Sequence, residues 1–133
     1  MKQKNCNVKR TIMGIVVACM IIVSTGMTAL AASTSTSFKY DGKTVNCSLT
    51  VDWKVGEDVG TAKTSVSGGS GTYPLGAYCN AYKDGSLVSG KNVTSYDTAQ
   101  ISVKDKADEF RSSHNIQNSN RVPLKSAKLT LTD

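Results

Sequence analysis

The sequence predicts an all-β protein: a single antiparallel β-sandwich, or a small barrel, of seven to eight short strands. Three observations carry this. Val45, Cys47, Leu49, Val51 and Trp53 alternate with Asn46, Ser48, Thr50 and Asp52, and nine residues of period two describe a strand with one buried and one wetted face. Asp41-Gly42 and Asp84-Gly85 are hairpin turn pairs. The other turn-forming stretches, residues 56–60, 67–71 and 118–120, separate further short alternations, and no helical period is sustained anywhere beyond the apolar N-terminal run.

The N-terminus reads as a secretory signal peptide covering residues 1–31. Lys2, Lys4, Lys9 and Arg10 precede an apolar run over 12–23, and small residues then lead to Ala29-Leu30-Ala31. That order predicts cleavage after Ala31 or Ala32. An uncleaved anchor would need about 20 apolar residues, and here Ser24, Thr25, Gly26 and Thr28 interrupt the run. Val16-Val17-Ala18-Cys19 loosely resembles a lipoprotein box, but apolar Met20-Ile21-Ile22-Val23 follows where a polar tether would be expected. The expected product is secreted and extracellular, with no transmembrane anchor after cleavage. Leu129-Thr130-Leu131-Thr132-Asp133 carries neither an apolar tail nor a basic end, so free release is expected.

Residues 32–37, Ala-Ser-Thr-Ser-Thr-Ser, are expected to be a flexible polar lead, and 38–133 the sandwich domain. Phe38-Lys39-Tyr40 is a short strand before the first hairpin turn, and 45–53 is its partner. Residues 61–67 alternate with Ala62, Thr64 and Val66 on one side. In 72–83, Tyr73, Leu75, Ala77, Cys79 and Ala81 form one face and Gly76, Tyr78, Asn80 and Tyr82 the other, with Pro74 marking the entry. Leu87-Val88 and 93–96 follow the second turn; Ala99, Ile101 and Val103 alternate. Residues 105–111 are the only stretch that could make a helical turn, and it is too short to stand alone. Ser112, His114 and Ile116 have strand spacing, and Ala127, Leu129 and Leu131 close the chain.

The whole chain carries +6, but four of its 16 basic residues lie in the signal and none of its 10 acids does, leaving 12 basic against 10 acidic residues and +2. The remaining cations are scattered. Nucleic-acid binding needs a concentrated positive footprint, so nucleic acid is not expected as a partner. Cys6 and Cys19 leave with the signal. Cys47 and Cys79 remain, both at apolar strand positions, and an even pair in an oxidising compartment predicts a disulfide contributing roughly 3–4 kcal/mol. Two buried thiols or a metal pair are the alternatives, the second requiring ligands beyond the single His114.

Catalytic chemistry finds little purchase. His114 has Ser112 and Ser113 beside it and Asp105, Asp108 and Glu109 just upstream, but a triad is defined by geometry and no nucleophile-elbow motif occurs. His114 reads as a structural strand residue, and no catalytic residue, metal site or cofactor is expected. The three acids could serve a surface calcium site, though a solvated acidic turn is the simpler reading. Sequons stand at Asn46 and Asn92. The constellation with most chemical content is Tyr78, Asn80 and Tyr82, two rings and an amide on one strand face, the rings about 13–14 Å apart. Exposed, they would form a shallow ligand platform; otherwise the rings cover the core edge with wet hydroxyls.

The basic leader, the Ala29-Leu30-Ala31 end, Thr61-Ala62-Lys63-Thr64 and Ser112-Ser113-His114 give the chain a resemblance to the small Ser/Thr-rich secreted β-sandwich proteins of Gram-positive bacteria, and more loosely to lactococcin-type bacteriocins. The first resemblance implies a non-enzymatic binding or cell-surface interaction module, with an extracellular protein, glycan or cell-envelope component as partner. The second implies an antimicrobial protein acting on competitor envelopes. A small secreted hydrolase is the third expectation. Immunity or export genes beside this one would favour the second, and a His114→Ala variant addresses the third.

Overall fold

The computed structural model describes Val16–Met20 and residues 30–133. These form nine strands: β1 (Val16–Met20), β2 (Leu30–Tyr40), β3 (Lys43–Trp53), β4 (Asp58–Val66), β5 (Leu75–Lys83), β6 (Ser86–Ser95), β7 (Thr98–Asp105), β8 (Glu109–Gln117) and β9 (Pro123–Thr132). They make two antiparallel sheets, β1-β2-β3-β4-β7 and β6-β5-β8-β9. β2 lies against β9, β3 against β8 and β9, β4 against β5 and β8, and β7 against β5 and β6. The sheets therefore stack face to face as a sandwich and do not close into a barrel.

The period-two pattern decides which faces meet. Val45, Cys47, Leu49, Val51 and Trp53 of β3 are buried and their alternates are not. Leu75, Ala77, Cys79 and Ala81 of β5 and Phe110 and Ile116 of β8 supply the opposing wall. Asp41 and Gly42 both take positive φ, as do Asp84 and Gly85, the backbone that a two-residue turn needs to match strand twist. They close the β2–β3 and β5–β6 hairpins. Asn118 closes β8–β9, its Oδ1 accepting from the N–H groups of Asn120 at 2.9 Å and Val122 at 3.0 Å.

Three expectations are corrected. Residues 32–37 are not a flexible lead: they belong to β2, every residue of which pairs with β3. Thr34 and Thr36 are turned inward and buried, so serine and threonine alternate here as polar and apolar residues do elsewhere. The cleavage point expected after Ala31 or Ala32 thus falls within β2. Val16–Met20, from the expected leader, runs antiparallel to it, Val16 opposite Ser37 and Met20 opposite Ser33. The basic residues of the leader and Ala29 lie outside the described residues. Second, 105–111 forms no helical turn. Asp58 Oδ2 accepts from the Ala107 N–H at 3.1 Å and Asp108 N–H donates to the Tyr82 carbonyl at 3.0 Å, which fixes an extended crossing into β8.

Third, the expected disulfide is absent: Cys47 and Cys79 are free, buried thiols. Both face inward as the alternation requires, but they stand over different parts of the opposite sheet. The Cys79 thiol meets the backbone of Val103 on β7. Val103 pairs with Gly60 on β4 and Gly60 with Val51 on β3, and Cys47 lies four residues further along β3. The offset is about 10 Å across the strands and about 13 Å along them, against the Cα separation of about 5–6 Å that a disulfide requires. Burial pushes the Cys47 thiol up to about 12 and the Cys79 thiol to about 11, which suppresses the reactive thiolate. Maleimide labelling followed by peptide mapping is expected to leave both unmodified in the native protein and to modify both after denaturation without reductant. Failure to label them under denaturing conditions would restore the bond.

Candidate functional site

Tyr78, Asn80 and Tyr82 project from the outer face of β5, opposite Cys79, and all three are partly exposed. Register brings β8 alongside: Ser113 opposite Tyr78, Arg111 opposite Asn80 and Glu109 opposite Tyr82. β9 adds Lys128 opposite Ser113. All of these except Glu109, together with Ser112, Asn115 and Pro123, line a shallow groove of about 460 Å³. Strand alternation puts Arg111, Ser113 and Asn115 on the outer face because Phe110, Ser112, His114 and Ile116 take the inward positions of β8.

The groove is chemically mixed. The Arg111 guanidinium carbon stands 4.3 Å from the centroid of the Tyr82 ring, a cation–π contact, and Arg111 Nε donates to Glu109 Oε1. That carboxylate raises the affinity of the guanidinium for its proton still further. Asn80 lies against the bare backbone of Gly90, where a β-carbon would come within 2.4 Å of its Oδ1. Asn115 is almost fully buried at the groove's end, its Oδ1 accepting from Gln117 Nε2 at 2.7 Å. Gln117 Oε1 has no hydrogen-bond partner among the described residues. The outer face of the other sheet also holds a depression, of about 410 Å³, but Ser35, Ser37, Asn46, Ser48, Lys63 and Ser65 around it provide no ring.

His114 sits in the core with no solvent exposure. Thr64 Oγ1 donates to the Gly76 carbonyl at 2.9 Å and is 2.8 Å from His114 Nδ1; Ser112 Oγ is 2.7 Å from Nε2. Because the threonine proton is committed to Gly76, Nδ1 is the donor to Thr64 and Nε2 accepts from Ser112. The order hydroxyl–imidazole–acceptor is that of a serine-hydrolase triad, with a threonine hydroxyl where the carboxylate would be. Such a group cannot stabilise an imidazolium as an acid does, and burial pushes the His114 pKa down to about 4. Thr64 belongs to one sheet and His114 and Ser112 to the other, so the network ties the two together. Ser113, expected as a second neighbour, faces the groove instead.

No family model, curated protein or solved structure matches the chain.

The acids considered for calcium are each engaged elsewhere. Asp108 Oδ2 accepts from the Asp84 N–H at 2.9 Å and pairs with Lys83 at 3.6 Å. Asp105 Oδ1 accepts from Lys106 N–H at 2.8 Å, and Glu109 holds Arg111. Among the described residues no three His, Cys, Asp or Glu side chains gather as a metal site. Sequence reasoning found the β5 half of the groove and missed Arg111, Asn115 and Lys128. For Arg111 and Asn115 the signal was the period-two pattern of 109–117, which puts Arg111, Ser113 and Asn115 on one face; what it lacks is any indication that β8 lies beside β5, and Lys128 enters only through the β8–β9 register.

Proposed function

We propose that this chain is a secreted, non-enzymatic binding module whose ligand is a glycan of a cell envelope, held on the outer face of the β6-β5-β8-β9 sheet. The observation that carries the reading is the groove that joins Tyr78 and Tyr82 with Asn80, Asn115, Arg111 and Lys128. Aromatic faces stack on the apolar faces of sugar rings, and rigid rings present that area with few rotors to freeze. The amides and cations supply directional donors for hydroxyl, carboxylate or phosphate groups. The leader argues for export. The full burial of the His114 ring, with the Ser112 hydroxyl committed to its Nε2, argues against a hydrolase.

Titration of the purified exported protein with soluble cell-wall polysaccharides tests this. Tyr78→Ala and Tyr82→Ala are each expected to weaken binding by about fivefold or more, the loss from truncating an anchor worth over about 1 kcal/mol. Lys63→Ala, on the opposite face, is expected to leave binding unchanged. A Tyr82→Ala protein that loses its cooperative thermal transition would make the ring a packing element. Intact folding with unchanged binding in both tyrosine variants would remove the platform.

A further inference from the structure

The edges of the two sheets are not alike. The edge strand β6 pairs with β5 through a register shift at Ala81/Tyr82 and carries Lys91. β9 begins at Pro123, pairs across a shift at Ile116/Gln117 and carries Lys125 and Lys128. β7 carries Lys104 and ends at Asp105. Bulges, prolines and lysines are the devices by which sheet edges avoid pairing with other chains. β2 has none of them between Ala32 and Phe38: no charge, no proline and no register shift against β3. Beyond Phe38 its edge is closed, because Lys125 Nζ donates to the Lys39 carbonyl at 3.0 Å.

In the full chain this same stretch is occupied. Val16–Met20 pairs antiparallel with Ser33 to Ser37, the central pair being Ala18 and Ser35. Cleavage after Ala31 or Ala32 removes β1 and leaves β2 as the new edge. The sequence exposed there, Ser33-Thr34-Ser35-Thr36-Ser37, reads the same in both directions. An antiparallel partner of identical sequence centred on Ser35 therefore matches Ser33 with Ser37 and Thr34 with Thr36, all side chains on their proper faces. Thr–Thr and Ser–Ser neighbours across antiparallel strands are favourable pairs, and a two-fold contact needs this self-complementarity.

We propose that the processed protein dimerises through β2, the two copies joining edge to edge, antiparallel about Ser35, into one continuous sheet. The proposal rests on the export reading above, since the edge becomes free only when the leader is removed. Protein secreted by the producing cells is first weighed intact, which reports the N-terminus, and then examined by light scattering. An N-terminus at Ala32 or Ser33 and the mass of two chains are expected. Ser35 is exposed, so Ser35→Lys leaves the core alone while setting like charges opposite each other; its mass is expected to fall to one chain with an unchanged circular dichroism spectrum. Ser35→Cys is expected to give a covalent dimer on oxidation. A processed wild-type chain that stays monomeric overturns the proposal, as does a dimer that survives Ser35→Lys and gives no Ser35→Cys cross-link. An unprocessed intact mass overturns the export reading and the free edge with it, a result that the weighing alone distinguishes.

Discussion

Phe110→Ala is expected to lower stability by about 3–5 kcal/mol, the usual loss for truncating a buried aromatic, read as a fall in the urea midpoint at unchanged slope. The ring is fully buried on β8 and meets Trp53 of the opposite sheet edge-on, centroids 5.6 Å apart. It also lies directly over Gly60: a β-carbon there would stand 2.2 Å from Cδ1 and 2.6 Å from Cε1 of the ring. Glycine at 60 is thus required by close approach between the sheets. Gly60→Ala is expected to cost about 1–3 kcal/mol through overpacking, because the ring that a β-carbon would meet is itself fully buried. The two substitutions should be coupled: in a Phe110→Leu background, Gly60→Ala is expected to cost less than in the wild type. Equal costs in both backgrounds would mean that the ring moves freely and that Gly60 owes nothing to it.

Those contacts show what the sequence could and could not convey. The alternation from Val45 to Trp53 and from Leu75 to Ala81 identified inward faces correctly, because apolar and polar residues differ sharply in their cost of burial. The Asp-Gly pairs placed two hairpins, because few residues tolerate positive φ. β2 was obscured for the opposite reason: its inward Thr34 and Thr36 and outward Ser33 and Ser35 have no contrast in hydropathy. The path of 105–111 is set by Asp58, whose carboxylate captures the Ala107 N–H from 49 residues away, a contact no local pattern carries.

The same limit governs the site and the thiols. Period two says which way Tyr78, Asn80, Tyr82 and the two cysteines point. It does not say which strand lies beside another, nor which stands across the sandwich. Arg111 and Lys128 join the groove through the β5–β8 and β8–β9 registers, and Cys79 faces Val103, well away from Cys47, because of how the sheets stack. These are long-range pairings, set by the packing of the whole core and carried by no local pattern.

Stability is expected to fall by about 3 kcal/mol as pH drops from 6.5 to 4, and His114 to be the cause. Its folded pKa lies near 4 because burial disfavours the imidazolium, while in the unfolded chain it takes its ordinary value near 6.5. Between these values the unfolded chain binds a proton that the folded protein refuses, so stability is full above pH 6.5, declines through the window and has lost its His114 share near pH 4. Asp108, held below the usual carboxylate range chiefly by the Asp84 N–H, titrates beneath that window. For a domain whose total is about 5–15 kcal/mol, the loss is large. His114→Gln stays neutral throughout. It is expected to weaken the protein at pH 7, where the Thr64 and Ser112 contacts are disturbed, yet to flatten the dependence from 6.5 to 4. Thr64→Val, which leaves the buried Nδ1 proton without its acceptor, is expected to cost about 1–3 kcal/mol. Parallel pH profiles for wild type and His114→Gln would place the acid sensitivity in other groups and free His114 to be protonated in the fold.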